Sequence, residues 1–515
     1  MATQAVVVLG GGISGLSCAY YLQKFCRHLT AFQKIIVLES SSHLGGWLKT
    51  CELDDGVKHE LGPRTLRSAT NQGYNALTLA EDIGLTDEIL ATTSKSNVVK
   101  KRFILVDNEL VALPTKLIDL FRKRKPFSKR LISYVIKDLK TPKLDLSQYE
   151  DDISVYDFAE YRVGSEVANY FFDPLCRGIT AGNSKKLSIM SLFPQLLRAE
   201  QESGSFIMGS VLNTSRDSTQ MYASPLVNKA MANHWSTYTF RGGLQALPNR
   251  LCDHMLSLKG SPIEIYNNST VNTIKFNETS KSSVITITTP EDNNIEIEAQ
   301  HIFSSLPAYS LAKVLPKDYS DLSEALNAIK TVNMAVVNLE FKGKVMADDS
   351  GFGFLVPSCE DSKILGIVFD SCVTPEFNAG HDITRLTVMI GGEWFEEILG
   401  DVDTVDEQTV LNIALESVRL YLKIDSKPIR HIVTINRNCI PQYHLGHQQR
   451  IQRIDELTKK YSMNMTLIGA SYQGFSVPDC IYNSKLAAES YSNAIKGVTS
   501  QPQPEPSLER NQLKQ

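Results

Sequence analysis

Apolar residues in this chain come in short runs separated by glycine and charged turns, and the period of each run predicts an element. Ala5 to Leu9 (AVVVL) is a β-branched run. It is followed by Gly10-Gly11-Gly12-Ile13-Ser14-Gly15 and then by Leu16, Ala19, Tyr20 and Leu22 at helical spacing. The pattern reads as strand, tight turn and helix. A second apolar run, Lys34 to Leu38, ends in Glu39. Residues 73–83 have helical period with Gly84 as a C-cap, and Arg102–Val106 with Glu109–Leu113 predict a hairpin around Asp107-Asn108, stopped by Pro114. From Leu117 to Asn183 the text turns helical and apolar-basic, with helical tracts at 155–170 and 188–200. Residues 203–223 are polar and read as a mobile loop. Runs at 263–266, 271–276, 284–288 and 295–302 predict a small antiparallel sheet laid on the domain of the first strand and helix. A helical region at 310–332 precedes strands at 335–341, 352–356, 365–370 and 385–390, an amphipathic helix at 410–422 and a strand at 429–435, which together predict a second sheet. Strand, glycine turn and helix recur from Met465 to Val477, and the Pro/Gln/Glu-rich tail from Gly497 reads as disordered.

The first strand and helix carry specific chemistry. Gly10 permits a sharp turn, Gly12 lets a pyrophosphate approach bare backbone, and Gly15 lets helix and strand pack closely, while the helix N-terminus offers free N–H groups and a positive dipole. A carboxylate at the end of the second strand, Glu39, is placed to bind a ribose and to repel a phosphorylated one. Gly45-Gly46 follow soon after in SSSHLGGWLKT. Three separated segments carry this glycine-linked geometry, so the nucleotide domain is expected to be discontinuous, with other domains inserted.

At 515 residues the chain is long for one core, and two or three domains are expected. The net charge of −4 gives no reason to expect a nucleic-acid partner. The nine cysteines show no CxxC pair and no close His/Cys cluster, so neither a structural zinc nor a disulfide framework is expected, and no metal is assigned. The first strand begins at the fifth residue, so no cleavable leader is expected and an organelle address would be internal. No apolar run reaches eighteen residues, and a spanning helix is not expected. Arg122 to Arg130 carries six cations in nine residues, flanked by Leu117, Ile118, Leu120 and Phe121 and by Leu131, Ile132, Tyr134, Val135 and Ile136. That arrangement suits an anchor on anionic lipid, and it suits equally a solvated loop between two helices. The residues show no Ser/His/Asp grouping and no general base, so no catalytic residue is named.

The phrases HELGPRTLR, LCRGITAGNSKKLSI, RGGLQALP, VVNLEF, GFGFLVPS, GIVFDS, NCIPQY and GASYQGFSVPDC occur in that order. With the Gly45-Gly46 pair, they resemble the protoporphyrinogen oxidases of the FAD-dependent, amine-oxidase-like superfamily, from Gly10 to about Ser490. The match departs from the family pattern just after GPR and across 203–223.

The resemblance implies an α/β (α+β) fold: a discontinuous Rossmann-like FAD-binding domain of p-hydroxybenzoate-hydroxylase type at 1–91, 207–305 and 431–496, a helical membrane-binding domain at 92–206, a mixed-sheet substrate domain at 306–430 and a tail at 497–515. It implies the oxygen-dependent six-electron oxidation of protoporphyrinogen IX to protoporphyrin IX, with H2O2 release and hydride transfer from the macrocycle to FAD N5. By the family motif, Arg102 would pair with a propionate and Leu355 and Met389 would hold the rings from opposite sides. Phe352, Gly353, Val368, Ile440 and Leu175 would line the rest. Beside the first glycines, Ile13, Ser14 and Glu39, the cofactor would be bound by Ser40, Trp47, Gly62, Pro63, Arg64, Thr65, Val271, Gly469, Gly474, Phe475, Ser476 and Val477. The partners implied are protoporphyrinogen IX, O2, an anionic membrane surface and the next haem-synthesis enzyme, in a homodimer peripheral to the mitochondrial inner membrane. Two alternatives stay open: an amine or polyamine oxidase of the same superfamily, and a flavin-binding tetrapyrrole carrier without turnover.

Overall fold

A computed structural model describes residues 5–26, 34–115, 117–214, 223–277, 281–291, 293–346 and 351–497. The first sheet has seven strands. Ala5–Leu9 lies at its centre, parallel to Lys34–Leu38 on one side and to the C-terminal half of Asn294–Ser304 on the other. All five residues of Ala5–Leu9 are buried, as a parallel strand covered on both faces requires. Helix Ile13–Cys26 follows, and helix Val477–Ile495 packs along it.

The antiparallel sheet expected from the runs between 263 and 302 is there in three of its four strands, but as an extension of the first sheet and not as a layer laid on it. Ile263–Tyr266 is a parallel edge strand beside Lys34–Leu38, and Thr270–Asn277 and Ser282–Thr288 extend the same sheet through Asn294–Ser304. At 11 residues, that last strand is long enough to pair antiparallel with Ser282–Thr288 through its first half and parallel with Ala5–Leu9 through its second. Period alone cannot report such a double role. The helical region expected at 310–332 resolves into helices Ala308–Val314 and Ser320–Asn327, with a strand already under way at Thr331.

The second sheet runs in the order Arg430–Pro441, Thr331–Lys342, Ile383–Gly392, Ile364–Val368, Gly353–Leu355, Arg102–Val106, Glu109–Ala112. The hairpin at 102–112 therefore belongs to this sheet. Its turn residues Asp107 and Asn108 both have positive φ (51° and 61°), the geometry that tight hairpins favour. Helix Glu407–Leu422 buries Val410, Ala414 and Val418 against one face, together with Val337, Leu339, Phe354, Ile367 and Val388.

A third, helical unit follows the hairpin. Its core gathers Phe127, Phe158, Phe172, Leu187, Leu197 and Phe206. Arg162, wholly buried, binds Asp138 (2.7 Å) and Glu200 (3.0 Å) and several carbonyls, so its charge is fully compensated. Part of the expected loop at 203–223 is the helix Phe206–Thr214, and 215–222 lie outside the described residues, as do 498–515 of the expected tail. The apolar run at 206–212 is short, interrupted by Gly209 and set between polar stretches, and its helix is fixed by tertiary contacts. Phe206 packs on Phe158 and Phe172, and Gly209 permits close approach, since a Cβ there would come within 2.6 Å of the Ala199 carbonyl. Among the described residues no helix is long and apolar enough to cross a membrane.

Candidate active site

The glycine turn is built by exclusion of side chains. Gly10 has φ +95°, and a Cβ on Gly15 would stand 1.9 Å from the Gly10 carbonyl oxygen and 2.9 Å from Ser305 Oγ. Ser305, which sequence reasoning missed, pins the turn from behind: its amide and its hydroxyl both donate to the Leu9 carbonyl (2.9 and 2.8 Å). No sequence signal marked it, because it acts only once the strand Asn294–Ser304 has come alongside. The second glycine pair lies directly on the first. The Gly45 amide donates to the Gly11 carbonyl (2.8 Å), while a Cβ on Gly12 would meet only the Gly46 Cα, at 3.9 Å. The turn thus offers a side-chain-free groove at the N-terminus of Ile13–Cys26. Ile13 and Ser14 form the first turn of that helix and are buried.

Glu39 stands at the edge of this groove. Its carboxylate accepts from the Gly11 amide (2.8 Å), the Ser41 amide (2.9 Å) and the Ser41 hydroxyl (2.8 Å), leaving acceptor capacity on a half-buried group. Ser40 beside it is exposed. Val271 is the second residue of strand Thr270–Asn277, just after Ser269, whose amide donates to the Glu39 carbonyl (2.8 Å), so it lies next to the same loop. The third segment closes in from the other side. Gly469 (φ +100°) sits 3.5 Å from Ser14 Oγ when a Cβ is built on it, and Ser484 donates to the Ser14 carbonyl (2.8 Å). Gly474 (φ +62°) then leads to Phe475 and to Ser476, which caps helix Val477–Ile495 in a reciprocal box with Asp479.

The segment 60–65 joins this groove to the second sheet. Gly62 lies under Trp47, whose carbonyl would be 2.2 Å from a Cβ there, and Trp47 itself is 41% exposed, which rules out core filling. Arg64 donates to Asp370 (3.1 Å) and to the carbonyls of Gly62 and Glu60, so it is neither a free surface arginine nor a helix cap. Pro63 and Thr65 on either side are half-buried. Glu60 is buried, accepts from the Leu244 amide (2.7 Å) and Thr50 (2.8 Å), and burial pushes its carboxyl up to about 7.

Strand register decides what the second sheet presents to this border. Residues paired directly across strands share a face, so Arg102, Gly353, Val368, Thr387 and Asn338 form one row. Ile104, Leu355, Gly366, Met389 and Val336 form the next row on the same face. This is the face opposite helix Glu407–Leu422. Ile440, paired with Val332 beyond a bulge, joins Met389 in one apolar cluster with Met334 and Trp394. Phe352 lies outside the rows, its ring 5.9 Å from the Arg102 guanidinium. Leu175 is on helix Asp173–Thr180, which rests on this face: a Cβ on Gly178 would be 2.7 Å from Leu355 Cδ2. The structure therefore brings six of the eight positions named for the substrate onto one sheet, puts Phe352 just before the strand Gly353–Leu355, and sets Leu175 on the helix against the sheet.

Val336, Met334, Thr387 and Asn338 were not singled out from sequence. The run VNMAVVNLEF is apolar on both faces, so its period gives no sign of which side is open. Arg102 is the cation at the edge of this face, and a second, Arg177, lies buried on the helix against it, stacked on Trp394 (4.2 Å). Among the described residues no carboxylate pairs with Arg102; the side chain is exposed, but partial desolvation of its guanidinium, then the nearby Arg67 charge, lower its pKa. No group of three or more His, Cys, Asp or Glu among the described residues is placed to hold a metal.

Comparison with known proteins bears on this geometry. The model of the family described as flavin containing amine oxidoreductase matches residues 13–490. Protoporphyrinogen oxidase of Homo sapiens is 37% identical over 492 residues, covering 95% of this chain and 98% of its own length. Coproporphyrinogen III oxidase of Bacillus subtilis is 28% identical over 94% of this chain and 96% of its own. Among solved structures, a proposed protoporphyrinogen oxidase of Exiguobacterium sp. superposes with a TM-score of 0.74 at 22% identity, over 96% of this chain and all of that one.

Proposed function

The chain belongs to the flavin containing amine oxidoreductase family, and from that premise we propose that it is an FAD-dependent oxidase that converts protoporphyrinogen IX to protoporphyrin IX in three two-electron cycles. When bound, FAD supplies the two-electron acceptor, which O2 reoxidises with release of H2O2. The residues present fit that cofactor. The groove over Gly12 and Gly46 leaves backbone for a pyrophosphate at a helix N-terminus, and Glu39, held by the Gly11 amide, keeps acceptor capacity for a ribose. Trp47, Gly62 and the turn 469–475 lead from there toward the second sheet.

The observation that carries the reading is the junction itself: a cofactor groove beside an apolar sheet face that carries Arg102, a cation with no paired carboxylate among the described residues. A porphyrinogen is a broad apolar ring system with two carboxylate arms. The row Leu355, Gly366, Met389, Val336 offers a flat apolar wall with a glycine in its middle, and Arg102 stands one row away to receive an arm. The wall carries no titratable side chain, so its work is to orient the ring and exclude water. Loss of hydride from such an electron-rich ring calls for no strong base at that wall.

We extend the proposal to attachment at an anionic membrane surface, the mitochondrial inner membrane, by a homodimer. Ile118, Phe121, Ile136 and Leu139 are 44–59% exposed around the 122–130 stretch, and of its six cations only Arg124 and Lys125 are ion-paired among the described residues. Apolar side chains among free cations suit a lipid headgroup layer. Co-sedimentation with anionic but not neutral vesicles is the expected result, and organelle fractionation and light scattering test location and dimer.

The purified chain should show a flavin absorption spectrum and should generate porphyrin fluorescence from protoporphyrinogen with H2O2. Oxidation of amines alone would overturn the substrate, and porphyrin binding without turnover would favour a carrier.

A further inference from the structure

Three residues after Ile440, at the end of strand Arg430–Pro441, two rings stand on each other. Tyr443 and His447 are stacked with centroids 4.0 Å apart and planes 15° from parallel, and both are at least 98% buried. Each reaches the same stretch of the third nucleotide segment. The Tyr443 hydroxyl donates to the Ala470 carbonyl (2.6 Å), and His447 Nε2 meets the Tyr472 carbonyl at 3.0 Å, so that nitrogen carries the proton. Phe475 closes the group with its ring at 70° to Tyr443, 5.7 Å away. The backbone of the same segment is held from the other side: Gln442 donates to the carbonyl of Thr180, at the end of the helix resting on Leu355, and the Ser188 amide donates to the Tyr443 carbonyl (2.8 Å).

We propose that Tyr443 and His447 are positioning residues, a two-ring clamp that sets the distance between the substrate wall and the cofactor turn 469–475. The inference rests on the FAD and porphyrinogen reading above. Its physical basis is rigidity. Side-chain bonds to a glycine-flanked turn replace the stiffness the turn lacks, and the stack passes that constraint to the strand end that carries Ile440. His447 is suited to the task because burial pushes its pKa down to about 4, which keeps the ring neutral and its Nε2–H a donor across the physiological range. Neither ring needs to touch the substrate. Hydride transfer depends steeply on donor–acceptor distance, and a misplacement of about 1 Å can cost about 100-fold in rate.

The test uses the holoenzyme with two variants, Tyr443→Phe, which keeps the ring and loses the hydroxyl, and His447→Phe, which keeps the stack and loses the donor. In anaerobic stopped flow with protoporphyrinogen, the expected result is a fall of about tenfold in the rate of flavin reduction. Reoxidation by O2 should stay within twofold, KM within twofold, and FAD content should remain full. Full FAD content with both half-reactions unchanged would overturn the clamp, as would equal slowing of both. Loss of flavin from both variants would also overturn it, since the pair would then hold the fold or the cofactor itself. If wild-type protein takes up flavin but is not reduced by protoporphyrinogen, the substrate reading fails first, a result distinct from either.

Discussion

Removal of the Arg102 guanidinium offers a sharp test of the substrate wall. In Arg102→Ala the strand Arg102–Val106 keeps its backbone pairing with Gly353–Leu355 and with Glu109–Ala112, including the bond from the Leu113 amide to the Arg102 carbonyl (2.9 Å). No acid among the described residues loses a counterion, and only the 5.9 Å contact with the Phe352 ring disappears. The fold should be little affected. A charge-assisted bond to a carboxylate contributes about 1.5–3 kcal/mol, and the exposure of Arg102 places it near the lower end, so substrate affinity should fall about tenfold. Because the cation recognises an arm of the ring and not the reacting carbon, the loss should appear in KM with kcat nearly unchanged. Arg102→Lys should recover part of it, since the point charge remains while the planar fork is lost. The assay is porphyrin fluorescence against substrate concentration, with flavin absorbance giving FAD content per chain. Loss of flavin from Arg102→Ala, or an unchanged KM, would refute the assignment.

Gly15→Ala should abolish flavin uptake, because its Cβ would meet the Gly10 carbonyl at 1.9 Å, whereas Gly84→Ala, with nothing within 4 Å, should cost only the positive-φ strain of about 1 kcal/mol and retain the cofactor; flavin absorbance after desalting distinguishes them. Glu60 titrates near 7 when folded and near 4.5 when unfolded, so the folded state binds more protons between those values and loses stability as pH rises through that window, by about 3 kcal/mol. Melting temperatures of wild type and Glu60→Gln from pH 4.5 to 8 should diverge across it, with the variant flatter; parallel curves would contradict the burial argument. Protoporphyrinogen should be preferred over coproporphyrinogen, because the wall presents apolar residues where two additional carboxylates would have to be desolvated; equal kcat/KM for the two would show that the wall is not the recognition surface.

Much of this molecule was legible from residue order alone. The strand Ala5–Leu9, its glycines and Glu39 were readable because each responds to a local need: a β-branched run buried on both faces, a turn with positive φ, a helix start with free amides. The hairpin at 102–112 was readable from its two left-handed turn residues, and the strands of the second sheet from their short apolar runs. What residue order could not decide was adjacency. The long strand Asn294–Ser304 makes one continuous sheet of strands that period set as a layer on the first, and helix Phe206–Thr214 is held where Phe206 finds Phe158 and Phe172. Ser305 matters only where the strand carrying it ends beside Gly10. Which face of the second sheet meets the cofactor segments was equally hidden, since Thr331–Lys342 is buried on both sides and only the packing of helix Glu407–Leu422 against one of them tells the two apart. Local sterics and hydrogen bonding are written residue by residue, whereas burial is settled between segments far apart in the chain, and the site lies where those segments meet.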